Sequence, residues 1–192
     1  MRTFIATLVL IFSLQSWSKA GDISEFEIQG MSIGDSLLNF FEKSHIEKRK
    51  DSYHDKGYMY SSKSYYALTF DEFANQKQYD QIQFHLKDKD ETYKIYALTG
   101  IKLFKYNIEE CTELMKEIEF ELDSLLTNAN KVSEPKHKSW TGKGYITSTW
   151  YKYNDGSNIN LACEDWNEDS NIPDGLAISI TSKEFQQWVN DL

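Results

Sequence analysis

Apolar and polar residues alternate in several short stretches of this chain, and this pattern restricts its possible folds more than any other feature. In one stretch, Ile82, Phe84 and Leu86 fall on one side and polar residues on the other. Such alternation is typical of an antiparallel strand that buries one face. The stretches with strand composition are residues 58–70, 81–86, 93–104, 145–153, 158–163 and 176–180. Asn-Asp-Gly-Ser at 154–157 predicts a hairpin, and Gly100 is interpreted as a β-bulge.

Helical periodicity marks a second set of segments. Asn107 and Glu110 have the spacing of a capping box and predict the start of a helix. Apolar residues then recur at steps of three and four: Ile108, Cys111, Met115, Ile118, Leu122 and Leu125. Ser32 and Asp35 have the same spacing, so a first helix is predicted to begin at Ser32. Ser182 is predicted to cap a short final helix.

The order of these elements is helix, three strands, helix, three strands, helix. It predicts an α+β fold in which antiparallel meanders pack on helices. Residues 21–192 are predicted to form a single α+β domain. The possible sub-units are 21–106 and 107–192, two tandem units that each contain a helix and three strands. Residues 128–139 are polar, contain Pro135 and are predicted to be a linker.

Residues 1–20 have the pattern of a secretory signal peptide, with a basic residue, an apolar run and small residues before the cleavage position. Cleavage is predicted between Ala20 and Gly21, with cleavage after Ser18 as the alternative. The apolar run, residues 4–14, is shorter than the about 20 residues that a spanning helix needs. We therefore expect an exported protein of the periplasm or the extracellular space, with no transmembrane segment in the mature chain.

The charge of the chain excludes one class of partner. With 21 basic and 30 acidic residues, the net charge is −9 at pH 7. The predicted leader contains Arg2 and Lys19 and no acidic residue, so its removal leaves a net charge of −11. Such a surface repels phosphate backbones, so no nucleic acid partner is expected.

Cys111 and Cys163 are the only cysteines. In an exported chain they predict one disulfide, which would attach the second helix to its sheet. The bridge would close a loop of about 53 residues, which corresponds to about 4 kcal/mol in the chain-entropy relation. The alternative is a pair of unlinked buried thiols.

Several segments resemble short exported bacterial proteins of unassigned function. The segments are residues 23–28, 30–38, 107–111 and 182–185. More distantly, Gly30-Met31-Ser32 ahead of an amphipathic helix is similar to the opening of SmpA/OmlA-type and β-lactamase-inhibitor-like modules, which are helix-plus-antiparallel-sheet binding domains of cell envelopes. The resemblance implies protein binding rather than catalysis. The favoured function is a non-catalytic binding module of the cell envelope with a protein partner; a structural envelope component is one alternative.

A GDSL-type esterase that uses Ser36 is the other alternative. Residues 34–37 spell the Gly-Asp-Ser-Leu nucleophile block of that family. Ser36 is nevertheless predicted not to be a nucleophile, because a catalytic serine needs a base within about 3 Å. His45 is nine residues further on, about 13 Å along a continuous helix. The second requirement, a strand before the serine in alternating βαβ order, is also missing.

No metal or cofactor is predicted. Asp165, Asn167 and Asp169 alternate like the start of a calcium loop, but Ser170 and Leu176 occupy the positions where glycine and glutamate are needed. A solvated acidic loop is the simpler interpretation. The histidines show no zinc spacing: His45, His54, His85 and His137. Of these, His85 alternates away from the apolar side of its strand and is predicted to be a surface residue.

Overall fold

The computed structural model describes residues 22–54, 64–71, 78–139, 141–170 and 172–192. The predicted leader and both cleavage positions lie outside these residues, as does the first part of the strand predicted over 58–70. The helices are α1 (Lys43–His54), α2 (Ile108–Leu125) and α3 (Lys183–Asn190). The strands are β1 (Glu27–Ile28), β2 (Met31–Ser32), β3 (Tyr65–Phe70), β4 (Gln81–Lys87), β5 (Ile95–Phe104), β6 (Asn130–Lys138), β7 (Gly144–Lys152), β8 (Asn158–Trp166) and β9 (Asp174–Thr181). Each helix in the described ranges is too short or too polar to cross a membrane.

Within the described residues, seven strands form one sheet in the order β3-β4-β5-β9-β8-β7-β6, and all neighbours are antiparallel. α2 connects β5, in the middle of the sheet, to β6 at one edge. The chain then returns through β7 and β8 to β9, which pairs with β5 from Ala97 opposite Thr181 onward. This arrangement confirms the predicted α+β class. Strands of both possible sub-units, 21–106 and 107–192, lie in the same sheet.

α2 begins where the sequence predicts. Asn107 Oδ1 accepts the backbone N–H of Glu110 at 3.3 Å, and Asn107 Nδ2 donates to Glu110 Oε2 at 2.9 Å. This reciprocal cap stabilises the helix by about 1 kcal/mol. The predicted apolar stripe faces the sheet, with Cys111, Met115, Ile118 and Leu122 buried. Burial of each such side chain stabilises the fold by about 1.5–3 kcal/mol.

The disulfide prediction is confirmed. Cys111 of α2 and Cys163 of β8 are bonded, with their Cα atoms 6.0 Å apart. Both residues are buried in the main core, which lies between the sheet and the layer of α1, α2 and the β1–β2 hairpin. The bond therefore attaches α2 covalently to the strand on which it packs.

The linker prediction for residues 128–139 was wrong, because most of this segment forms β6. Its side chains are largely exposed, which explains why no hydrophobic alternation reveals the strand. β6 is an edge strand, and it tolerates Pro135 because the register with β7 shifts between Glu134 and His137. The second half of the chain consequently contributes four strands rather than three.

The helix predicted to begin at Ser32 was also wrong. Ser32 ends β2, and its backbone N–H donates to Asp35 Oδ2 at 2.9 Å, which is one of the two bonds of a capping box, formed here without a helix. Gly34 has a φ of +96°, a left-handed conformation that a right-handed helix cannot contain. The helix α1 begins only at Lys43.

Gly100 does not mark a bulge. It continues β5 in register, opposite Ile82 of β4 and Ile178 of β9. A Cβ at this position would lie 2.4 Å from Cε1 of the Tyr79 ring. Glycine is needed here because the ring lies directly on the strand.

α3 covers one end of the second face of the sheet. Ser182 Oγ accepts the backbone N–H of Phe185 at 3.2 Å, as the sequence predicts. The ring of Tyr65 lies 5.1 Å from that of Phe185 and 4.8 Å from that of Trp188. This packing gives the second face a small apolar core of its own.

His85 lies beneath α3, so the prediction that it is a surface residue was wrong. It does alternate away from Phe84, but the helix covers that side of β4. Its ring is 4.7 Å from the ring of Phe185, and only 8% of the residue is exposed. Burial lowers the pKa of His85 to about 4, which keeps the imidazole neutral.

Candidate binding face of the sheet

The second face continues beyond α3 as a broad surface of strand side chains. α1, α2 and the β1–β2 hairpin pack on the first face, so α3 is the only helix of the described ranges on this one. We call the part that α3 does not cover the tryptophan face. The strand register places these residues on it: Glu134, Ser148, Trp150, Asn160, Ala162, Glu164, Trp166, Ala177 and Ser179.

The middle of the tryptophan face is a floor of small side chains. Residues directly opposite each other in an antiparallel pair point to the same side. Ser148 lies opposite Ala162, which in turn lies opposite Ala177. Ser148 and Ala162 are buried and Ala177 is partly exposed, with the larger side chains of the face around them.

Trp166 lies at one end of this floor. It lies opposite Gly144, where a Cβ would be 3.0 Å from Cε3 of the indole. Its backbone N–H donates to Asp174 Oδ1 at 2.9 Å, and Nε1 donates to Glu164 Oε2 at 3.0 Å. These contacts position the indole beside Gly144 and Glu164.

Glu164 is the least compensated carboxylate of this surface. It is half-buried, and burial raises its pKa while the hydrogen bond from Trp166 lowers it. Within the described part of the chain, Glu164 takes part in no ion pair. Buried charges in proteins are ordinarily paired, whereas this half-buried carboxylate has no cation partner among the described residues.

A second carboxylate and indole lie across the floor. Glu134 of β6 is opposite Ser148, whose Oγ donates to Glu134 Oε2 at 2.9 Å. The neighbouring indole of Trp150 and the hydrogen bond from Ser148 lower the pKa of Glu134, so this carboxylate is charged at neutral pH. Each tryptophan of the face therefore has a carboxylate as its neighbour.

The tryptophan face has the length of a short extended peptide. Trp150 lies opposite Asn160, which is six residues before Trp166 on β8. At about 3.3 Å per residue, the two tryptophans are roughly 20 Å apart along the strand. An extended segment of about six residues would span this distance.

A cleft of about 330 Å³ lies on the other face, between the first turns of α2 and the strands β6 to β8. Its walls carry mixed charges, with Glu109, Glu113 and Lys116 from the helix. On the sheet side, Lys136 is paired with Asp165 and lies 4.9 Å from the centre of the Tyr145 ring. The cleft borders Cys163 and is separate from the tryptophan face.

The calcium candidates do not come together. Asp165 lies on β8 and pairs with Lys136. The backbone N–H of Asn167 donates to the carbonyl of Lys143 at 3.0 Å, and Asp169 belongs to a short 3₁₀ turn, Glu168–Ser170. No group of three or more possible metal ligands is found in the described ranges.

The hydroxyl of Ser36 is hydrogen-bonded to backbone groups. It caps a 3₁₀ turn, Leu37–Asn39: its Oγ accepts the N–H of Leu38 at 3.3 Å and donates to the carbonyl of Thr92 at 2.6 Å. No histidine of the described residues is hydrogen-bonded to it. The serine lies at the start of this turn rather than inside a helix, so the helical distance to His45 does not apply. That Ser36 is not a nucleophile stays a prediction.

The residues of the tryptophan face were not identified from the sequence. β8 was predicted to end at Cys163, which left Glu164 and Trp166 in an acidic loop. The signal that could have found them is the continued alternation of Ala162, Glu164 and Trp166. Glu134 was hidden in the predicted linker. No family model, no curated protein and no solved structure matches this chain.

Proposed function

We propose that this chain is a non-catalytic binding module of the cell envelope, and that it binds a protein partner through the tryptophan face. The observation that supports the proposal is the indole of Trp166, which lies close to Gly144 and is hydrogen-bonded to Glu164 on a sheet face where α3 is the only helix of the described ranges. Tryptophan is enriched among the residues that dominate binding energy at protein interfaces. An indole that is already ordered loses little conformational entropy on binding.

The surroundings of Ser36 favour binding over catalysis. Both hydrogen bonds of its hydroxyl go to nearby backbone groups, and no base is arranged to activate it within the described residues. The described residues therefore give the esterase alternative no base of the kind that a catalytic serine requires.

Export to the periplasm or the extracellular space belongs to the same proposal. The Cys111–Cys163 disulfide supports it, because such bonds persist in oxidising compartments. The leader pattern of residues 1–20 supports it independently.

The experiment is affinity capture from the native envelope with the exported protein and two variants. Trp166→Ala removes the indole of the tryptophan face. Phe120→Ala is the matched control, because Phe120 is 79% exposed on α2, on the opposite side of the sheet. We expect one partner protein to be recovered by the wild type and by Phe120→Ala and lost with Trp166→Ala. Equal recovery by all three proteins would contradict the proposal.

A further inference from the structure

We propose that the tryptophan face recognises a cationic side chain, arginine above all, in an extended segment of the partner, and that Glu164 and Trp166 form the recognition site. This inference rests on the proposed function and specifies the chemistry of the partner. It assigns Glu164 as the counter-ion and Trp166 as the surface on which the guanidinium stacks.

The first argument is that the carboxylate of Glu164 has no ion pair among the described residues. Glu164 is half-buried, and its observed hydrogen bond comes from Trp166 Nε1, which occupies Oε2. No described residue donates a hydrogen bond to the second carboxylate oxygen. A guanidinium from a partner would supply both the donor and the opposite charge.

The second argument is the geometry of the indole. Cε3 of Trp166 lies close to Gly144, where the absence of a side chain leaves room for the indole on this face of the sheet. Arginine stacks on aromatic faces and also binds carboxylates, and tryptophan is the best aromatic partner for a cation. Because Nε1 ties the ring to Glu164, the carboxylate and the platform are adjacent and can contact one guanidinium together.

The third argument is the repetition of the pair. Glu134 and Trp150 provide a second charged carboxylate and a second indole. Glu134 and Glu164 lie two strands apart and two residues out of register, which places their Cα atoms roughly 12 Å apart. Four residues of an extended chain cover about 13 Å. The segment that fits both sites therefore carries two basic residues with three residues between them.

The net charge of −9 also attracts a cationic partner and makes its binding sensitive to salt. An uncharged glycan could stack on the same indoles, but it would gain nothing from the charge of Glu164. Neutralising Glu164 should therefore weaken the binding of a cationic ligand and leave the binding of an uncharged glycan unchanged.

The test uses a capped peptide that contains Arg-Gly-Ser-Gly-Arg, with the same peptide carrying citrulline in place of arginine as its uncharged control. Binding to the exported protein is measured by isothermal titration calorimetry. Glu164→Gln keeps an acceptor for Trp166 Nε1 and removes only the charge, so folding should be retained and is checked by circular dichroism. Glu117→Gln, at an exposed position of α2, is the control variant.

We expect the arginine peptide to bind, with the affinity of Glu164→Gln and of Trp166→Ala reduced at least tenfold and that of Glu117→Gln unchanged. Equal binding of the citrulline peptide, no binding of the arginine peptide, or full affinity in Glu164→Gln would each overturn the inference. If envelope capture still depends on Trp166 in that case, the proposed function stands and only the cationic specificity fails. If capture does not depend on Trp166, the proposed function fails as well.

Discussion

At the scale of single residues, the positions that escape sequence analysis are those whose neighbours come from distant parts of the chain. His85 alternates like a surface residue, and only the packing of Phe185 on it explains its burial. From the sequence, Gly100 was interpreted as a bulge. In the structure, the ring of Tyr79 occupies the space that a side chain at this position would need. Local propensity cannot reveal either contact, because tertiary packing decides both.

Gly100→Ala should destabilise the fold by about 1–3 kcal/mol, because the added methyl group displaces the Tyr79 ring from a packed core. Gly175→Ala on the neighbouring strand β9 is the control, since its nearest contact would be an ordinary 3.4 Å. Urea unfolding of both variants measures the difference. Equal stability of the two variants would contradict the packing assigned to Tyr79.

The folded protein should lose stability as the pH falls from about 6.5 to about 4. Burial lowers the pKa of His85 from 6.5 to about 4, so over this range the unfolded chain binds a proton that the folded chain does not. At about 1.4 kcal/mol per pKa unit, the loss from this residue is at most about 3.5 kcal/mol.

The pH effect is measured as the difference in unfolding free energy between the wild type and His85→Gln at pH 7 and at pH 4. His137→Gln, at an exposed position of β6, is the control. Between pH 7 and pH 4, we expect the unfolding free energy of the wild type to fall more than that of His85→Gln. It should fall by the same amount as that of His137→Gln. A histidine signal of His85 that titrates near pH 6.5 by NMR would contradict the burial.

At the scale of elements, the sequence predicts the helices and strands that are marked by a cap, an apolar stripe or a turn within their own segment. α2 was predicted from the Asn107–Glu110 cap and its apolar stripe, and the β7–β8 hairpin from residues 154–157. β6 was missed because an exposed edge strand carries no alternation, and α1 was placed too early because Gly34 breaks the apparent cap. The residues of the tryptophan face come from several strands, and the pairing register of those strands decides which side chains are neighbours. The sequence alone does not give this register.

Reducing the Cys111–Cys163 bond should destabilise the protein by about 4 kcal/mol, because the unfolded chain regains the freedom of the closed loop. Urea unfolding of the oxidised protein and of the reduced, alkylated protein gives the value. The double variant Cys111→Ala/Cys163→Ala, which lacks the bond without the alkyl groups, is the control. A difference below about 1 kcal/mol in both comparisons would show that α2 is held on β8 by packing alone.

At the scale of the whole molecule, one antiparallel sheet separates the face that packs the main core from the face through which we propose that the protein binds. The first face packs α1, α2 and the amino-terminal hairpin into the main core, and the disulfide fixes that layer. The second face uses α3 to close one end and presents two tryptophans with their carboxylates over a floor of small residues. This division of roles leads to the proposal that the protein works by binding.

The most direct measurement is site-specific photo-crosslinking in intact cells. A photoreactive amino acid replaces Ser179 on the tryptophan face or, as the control, Glu117 on the exposed side of α2. We expect a crosslinked partner protein from position 179 and none from position 117, with the adduct lost when Trp166→Ala is added. An adduct from position 117 alone, or one from position 179 that persists in Trp166→Ala, would contradict binding through the tryptophan face.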